Sequence, residues 1–417
     1  MRFNLPALRS RNYRLFFAGQ GISLIGTWMT QVSTVWLVYQ LTHSALILGI
    51  VGFISQIASF VFAPFGGVIV DRTHRRTLLI ITQALAMAQS LTLAALTLTG
   101  AVNIWLIVAL SFWQGLITAL DAPARQTFVK DMIERSDDLP SAIALNSSLI
   151  NGARLVGPAI AGIVIARIGA GYCFLIDGIS YIAVIAGLLL MRFNKELPIV
   201  KGAMNPLGRI KEGFIYAYEF LPIRSILLLM VMFSLMVMPY STLMPVFAIK
   251  ILHGDSNTLG MLMAASGIGA LSGGIYMISR RTVVGLGKVI AFAPMVSGTG
   301  LIAFSLSQAL WLSMLTITLV GFGSIIQIAS SNTLIQTIVE DDKRGRVMSI
   351  YTMSFLGMVP FGNLWSGFLA DSIGAANTFT INGIVCLIGA FLFARQLPAL
   401  RRIVRPIYRE KGIVSIP

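Results

Sequence analysis

The sequence predicts an all-α membrane protein with twelve transmembrane helices in two pseudo-symmetric six-helix bundles, and three observations carry that expectation. The first is composition. Of the 417 residues, 56% are hydrophobic and only 11% are charged, against about 25% charged in a soluble domain. One water-facing globule cannot hide so much apolar surface, so lipid must be the solvent. The second is spacing. A bilayer-crossing helix needs roughly 20 mainly apolar residues, and twelve such stretches joined by short loops divide the chain. The third is the placement of positive charge. With a cytoplasmic N-terminus, all of the 31 Lys and Arg residues except Arg154, Arg167 and Lys250 fall in segments on that side, the asymmetry that sets orientation. The net charge of +15 is thereby a topology device spread along the chain, which argues against a nucleic-acid partner.

The first helix, 13–39, follows Arg9, Arg11 and Arg14. It is too long for a cleaved leader and lacks a small-x-small cleavage site. Gln20, Ser23, Thr27, Gln31 and Thr34 recur on it every three or four residues, a polar stripe expected to line a cavity. The second helix, 45–70, carries Gln56, a weaker cavity candidate, and closes on Gly66 and Gly67 before a tight basic loop holding Asp71, Arg72, Arg75 and Arg76. The third covers 77–99. The fourth, 104–122, holds Trp113 and Gln114, weaker cavity candidates, and ends at Asp121, four residues before Arg125.

The fifth helix, 142–166, carries Asn151, a weaker cavity candidate, and, near mid-bilayer, Arg154. A charge at that depth costs at least ~2.5–3.5 kcal/mol unless it faces a cavity or a partner. Two roles are open for it: a structural ion fixing the fourth and fifth helices, with Asp121 as a candidate partner, or a direct part in coupling or substrate binding. Gly157-Pro158 and Gly162 are expected to bend this helix and admit another backbone. The sixth helix, 172–191, contains Asp177, roughly 7–8 Å from its outer end by rise. A wetted outer vestibule would satisfy that carboxylate, and proton carriage is the alternative.

A polar loop over 192–224 precedes the second set: 226–251, 259–279, 289–306, 310–338, 347–370 and 376–394. The expected organisation is an N-terminal bundle over 1–191, this cytoplasmic loop, a C-terminal bundle over 225–395 and a basic tail over 396–417, with both termini cytoplasmic. The seventh helix is Met-rich, an adaptable surface for apolar ligands, though packing explains it as well. The tenth carries Gln327, a further weak cavity candidate. The halves repeat one another in order. Gly66 and Gly67 recur as Gly273 and Gly274; Gln126, Thr127 and Val129 as Gln336, Thr337 and Val339; Gly157, Gly162, Gly169 and Ala170 as Gly362, Gly367, Gly374 and Ala375. Duplicated halves of this kind place a substrate site between them near the midplane.

Cys173 and Cys386 lie in apolar stretches and read as small buried hydrophobes. His43, His74 and His253 are scattered in loops, so neither a metal set nor a nucleophile–base pair can be assembled. No phosphate-cradling Gly-rich loop with its Lys is present. No cofactor, no metal and no enzymatic activity is expected, and ATP is not the direct driver.

The loop Gly67-Val-Ile-Val-Asp71-Arg72-Thr-His74-Arg75-Arg76 resembles the signature loop of the major facilitator superfamily, G-x-x-x-D-R-x-G-R-R, with His74 where that family usually has Gly. Asp121-Ala-Pro123-Ala-Arg125-Gln126, Ala144-Leu-Asn146-Ser, Ala153-Arg154-Leu-Val-Gly157-Pro158 and Arg344-Gly345-Arg346-Val-Met-Ser-Ile-Tyr351 are similar to the subgroup containing bacterial enterobactin and macrolide exporters. The resemblance implies the major facilitator fold. It also implies that Asp71 docks on the start of helix eleven, near Val347, and on Arg125, closing the cytoplasmic side, with Arg72, Arg75 and Arg76 in the same gate. The Gly-Pro core of helix five is similar to the antiporter signature of exporters, though sparser in Gly. The resulting expectation is a monomer in a bacterial inner membrane that exports siderophore- or drug-like molecules in exchange for protons. A polar-nutrient importer, which would want more buried charge, and a lipid flippase are the alternatives.

Overall fold

The computed structural model describes residues 6–193, 214–280, 282–340, 342–411 and 413, with all their side chains except those of Pro64, Val68 and Asp71. Among these residues the regular structure is helical and no strand is present. The first six helices are α1 (Arg11–Thr42), α2 (Ala45–Arg72), α3 (Arg75–Leu98), α4 (Ile104–Phe128), α5 (Leu139–Ile168) and α6 (Ala170–Leu190). Then come α7 (Leu221–Met236), α8 (Tyr240–Lys250), α9 (Ser256–Ser279), α10 (Leu286–Leu306) and α11 (Leu310–Ile338). The last three are α12 (Arg344–Leu356), α13 (Val359–Ile373) and α14 (Ala375–Glu410).

Eleven helical stretches among the described residues are long and apolar enough to cross a membrane. α1 is longer than most, at 32 residues, but its polar side chains keep it less apolar than those eleven. Two crossings expected as single helices are broken in the middle: α7 and α8 share one, and α12 and α13 share another. Proline accounts for both breaks. A proline ring clashes with the carbonyl four residues earlier and brings no N–H. Pro239 sets that clash at Leu235, and α7 ends at Met236; Pro360 sets it at Leu356, where α12 ends. Pro158, by contrast, lies inside an uninterrupted α5. α14 continues through Pro398 and Pro406 to Glu410, so the chain after 395 extends the last helix.

The helices cluster into two compact units. One holds α1–α6 and the start of α9, Gly254–Ala264; the other holds α7, α8, the rest of α9 and α10–α14. In the first, α1 packs on α5 and α6, α2 on α4, and α3 on α4 and α6. In the second, α10 packs on α11 and α14, and α7 on α12, α13 and α14.

The repeated glycines do the same work in each unit. Gly66 lets α2 meet the backbone of α4 at Ala119, and Gly273 lets α9 meet α11 at Phe322. A Cβ on Gly157 would stand 2.5 Å from Trp28 Cβ and 3.0 Å from Ile25 O of α1. One on Gly362 would stand 2.7 Å from Leu235 O of α7. Gly169 and Gly374 each form a one-residue corner between helices, with φ of 99° and 88°, a region that favours glycine. The glycine series is therefore a repeat of packing geometry as well as of letters.

Lipid-facing character is plain at the surface. Trp105 and Trp311 stand exposed at the starts of α4 and α11, where an aromatic belt at the membrane–water boundary belongs. Apolar clusters fill the basic end of each unit, one around Tyr13, Leu79 and Phe128 and the other around Ile290, Ile335 and Tyr351.

Candidate functional site

Asp121, Arg154 and Asp177 lie within helices of the first unit, at three depths. By rise per residue, Asp121 lies about 10 Å before the end of α4, Arg154 about 22 Å from the start of α5, and Asp177 about 10 Å into α6. Each has acquired its own set of partners.

Asp121 is buried. Its Oδ1 accepts hydrogen bonds from Thr82 Oγ1 at 2.9 Å and Gln83 Nε2 at 2.7 Å, both on α3. Its Oδ2 pairs with Arg125 one helical turn away. The carboxylate is thus matched by a cation and two hydrogen bonds, which is what a charge removed from water requires. Its cation is Arg125 and not Arg154, which corrects the Asp121–Arg154 pairing entertained from sequence.

Asp177 is 1% exposed. Its Oδ2 accepts from Thr30 Oγ1 of α1 at 2.9 Å and from Ser90 Oγ of α3 at 2.8 Å. Its Oδ1 is buried without a hydrogen-bond partner among the described residues. Gly26 of α1 faces it, and a Cβ there would stand 2.8 Å from Oδ1. Where the sequence suggested a wetted outer vestibule around Asp177, the described residues bury its side chain. Three helices close over the carboxyl because glycine lets α1 come that near.

Arg154 is half-buried, and its guanidinium lies over the Trp28 ring of α1, 5.6 Å from the centroid. A planar cation on an indole face is a favourable contact in a low-dielectric site. It lies one turn before the Gly157–Trp28 contact, so one helix crossing positions both. Gly162, a turn further on, receives the start of α9: Ser256 Oγ donates to Gly162 O at 3.2 Å, and a Cβ on Gly162 would stand 3.0 Å from Gly260 Cα. The buried trio Gly157, Pro158 and Gly162 thus forms a small-residue face that admits two neighbours.

The basic loop after α2 staples the same unit together. Arg75 Nη1 pairs with Asp131 at 2.8 Å. Arg76 Nε and Nη2 donate to Leu188 O at 2.8 Å and Leu189 O at 2.9 Å, a cation on the C-terminal carbonyls of α6, where the helix dipole favours it. Arg72 is exposed. Asp71 belongs to the last turn of α2, and its side chain lies outside the described residues. His74 has φ −66° and ψ 110°, ordinary extended backbone, so replacing the usual glycine leaves this turn unstrained.

The remaining cavity candidates differ in burial and in partners. On α1, Gln20 and Ser23 are buried whereas Thr27 and Gln31 are exposed. Gln56 is half-buried and Trp113 is exposed. Gln114 keeps a buried Oε1 without a partner among the described residues. Asn151 Nδ2 donates to Ser147 O of its own helix at 2.8 Å. Gln327 belongs to the second unit, where its Nε2 reaches Ser331 Oγ at 3.3 Å.

Sequence reasoning missed Trp28, Thr30, Thr82, Gln83, Ser90 and Asp131. A signal existed for α3: Thr82-Gln83 and Gln89-Ser90 recur two turns apart in an apolar helix, a polar stripe by period. No signal existed for Asp131, whose partner Arg75 is 56 residues away.

A family model described as transmembrane secretion effector matches residues 4–404. The staphyloferrin A transporter of Staphylococcus aureus is 28% identical over 389 residues, covering 92% of this chain and 96% of that one. Macrolide efflux protein A of Streptococcus pyogenes is 21% identical over 389 residues, covering 90% and 95%. A POT family transporter solved in complex with a thioalcohol-conjugated peptide matches with a TM-score of 0.75 at 11% identity, covering 94% of this chain and 96% of that one, a likeness of fold alone. A match over nearly the whole length, on a helical chain with duplicated packing, means that this protein belongs to the transmembrane secretion effector family of major facilitator transporters.

Proposed function

We propose that this chain exports small organic molecules, siderophore-like or drug-like, in exchange for protons and by alternating access. The observation that carries the coupling is Asp177. It is a carboxyl buried within a membrane helix, held by two hydroxyls, with one oxygen open and no ion pair among the described residues. Such a group gains or loses a proton without breaking a salt bridge, and intramembrane carboxyls of this kind recur in proton relays. Asp121 is the poorer carrier, because Arg125 already neutralises it.

In this reading Arg154 on Trp28 offers a cation and an aromatic face to an anionic or aromatic part of the substrate. Asp71, Arg72 and Arg125 belong to a gate at the basic end, with Arg75 and Arg76 holding its frame. Outward transport of siderophore or macrolide chemistry is suggested by the relatives named above. Positive charge on the loops supports cytoplasmic termini in a bacterial inner membrane, and a monomer suffices for the mechanism.

The test is an efflux assay in cells with and without the chain, loaded with their own secreted siderophores and a panel of macrolides and other drugs. Faster release of one class, collapsing with a protonophore, is expected. Identical release of every compound from both cell types would sink the export reading.

A further inference from the structure

At the basic end of the second unit, α10 and α14 flank a cavity of about 400 Å³, within the range of about 300–1,000 Å³ typical of small-molecule sites. Its wall is apolar, built by Ile226 of α7, Leu334 of α11, and Phe393 and Leu397 of α14. Its rim is cationic. Lys288 at the start of α10, and Arg401 and Arg405 on α14, line the same cavity and are exposed. Among the described residues no carboxylate lies within ion-pair distance of these three; the pairs that exist are Arg75–Asp131, Arg125–Asp121 and Lys343–Glu340.

The extension of α14 past 395 creates this arrangement. Residues three and four apart share a helix face, which puts Leu400, Val404 and Tyr408 on the buried side with Arg401 and Arg405 at its edge. Tyr408 Oη donates to Val283 O at 3.5 Å, tying the extension to the turn before α10. A helix with an apolar face and a basic edge is suited to the headgroup boundary of a membrane.

The occupant must answer both the wall and the rim. A soluble anion would leave the apolar wall against water. A neutral lipid would leave three cations without a counter-charge. Basic pockets between membrane helices that open at the headgroup level suit anionic headgroups. We infer that this cavity binds an anionic phospholipid of the adjoining leaflet, an acyl chain against Phe393 and Leu397 and the phosphate on Lys288, Arg401 and Arg405.

The full-length chain, purified in a neutral detergent and stripped of lipid, tests this. Its melting is followed while phosphatidylglycerol, phosphatidylcholine with the same acyl chains, or inorganic phosphate is titrated in. Only phosphatidylglycerol should raise Tm. The surface double variant R401Q/R405Q should keep the lipid-free Tm and weaken the apparent phosphatidylglycerol affinity about thirtyfold. R402Q/R409Q removes equal charge from the same helix outside the cavity and should leave that affinity nearly unchanged. Equal stabilisation by phosphate would mean a plain anion site, and equal stabilisation by phosphatidylcholine an unselective lipid groove. Equal loss in R402Q/R409Q would mean diffuse surface attraction. Each of these outcomes overturns the assignment.

Discussion

Asp121 and Asp177 are both acids within membrane helices of one unit, and their partners make opposite predictions for the same substitution. Asp177→Asn preserves size and can still accept from Thr30 and Ser90. It should therefore be made at near wild-type abundance but fail to drive uphill export in proteoliposomes with an imposed pH gradient, while downhill exchange continues. Asp121→Asn strands Arg125 without its counter-charge. It should cost about 1–3 kcal/mol, less than a fully buried pair because Arg125 is partly exposed, visible as a lower Tm in detergent. Full uphill export by Asp177→Asn would move the coupling site elsewhere. For Arg154, lysine keeps the charge but lacks the planar group that lies on Trp28. Arg154→Lys should hold abundance and lose most export, and wild-type export by that variant would reduce Arg154 to a structural ion. The pairing of Asp121 with Arg125 was open to a sequence reader, because residues four apart meet on a helix. The pairing of Arg154 with Trp28 was not, since the two lie on different helices brought together by a glycine.

At the level of single helices, the joints carry the testable content. Gly157→Leu pushes a side chain into Trp28 and the backbone of α1. An overpacked contact of that kind should destabilise by about 1–3 kcal/mol, read as a lower melting temperature of purified protein; Gly152→Leu, where a Cβ meets nothing within 4 Å, should not. The start of α9 offers a second case. Asp255 Oδ1 accepts from Thr258 N at 3.1 Å, an N-terminal cap. Slight burial pushes its carboxyl up, but the Thr258 and Asn257 hydrogen bonds outweigh this and hold it below the ordinary carboxylate range. A carboxyl lowered on folding adds stability above its unfolded pKa and loses it as pH falls through the folded value. Asp255→Ala should cost about 1 kcal/mol at neutral pH, and the gap to wild type should close in acid. The breaks at Pro239 and Pro360 show the limit of pattern reading: hydropathy runs straight across both prolines, and only backbone sterics divide the helices.

For the molecule as a whole, the decisive measurement is energetic. Export should collapse when the proton gradient is dissipated and persist when ATP is depleted with the gradient clamped, because the chain carries no nucleotide-cradling loop and does carry a buried carboxyl, Asp177, with no cation paired to it among the described residues. Wild-type protein in proteoliposomes that carried substrate only downhill and ignored an imposed pH gradient would point to facilitated diffusion or another ion.

Membrane class, the sites of most helices and the duplication of two halves were determined by the sequence alone. These depend on run length, composition and the order of glycines, which are local properties of a chain in a lipid solvent. The tertiary structure decided which cation holds Asp121, which helices enclose Asp177, what Arg154 rests on, and that the basic stretch after 395 extends a helix flanking an apolar cavity. The reason is physical. Buried charge in a membrane must find partners within a few ångströms, and those partners lie on other helices, at distances along the chain that no local pattern records.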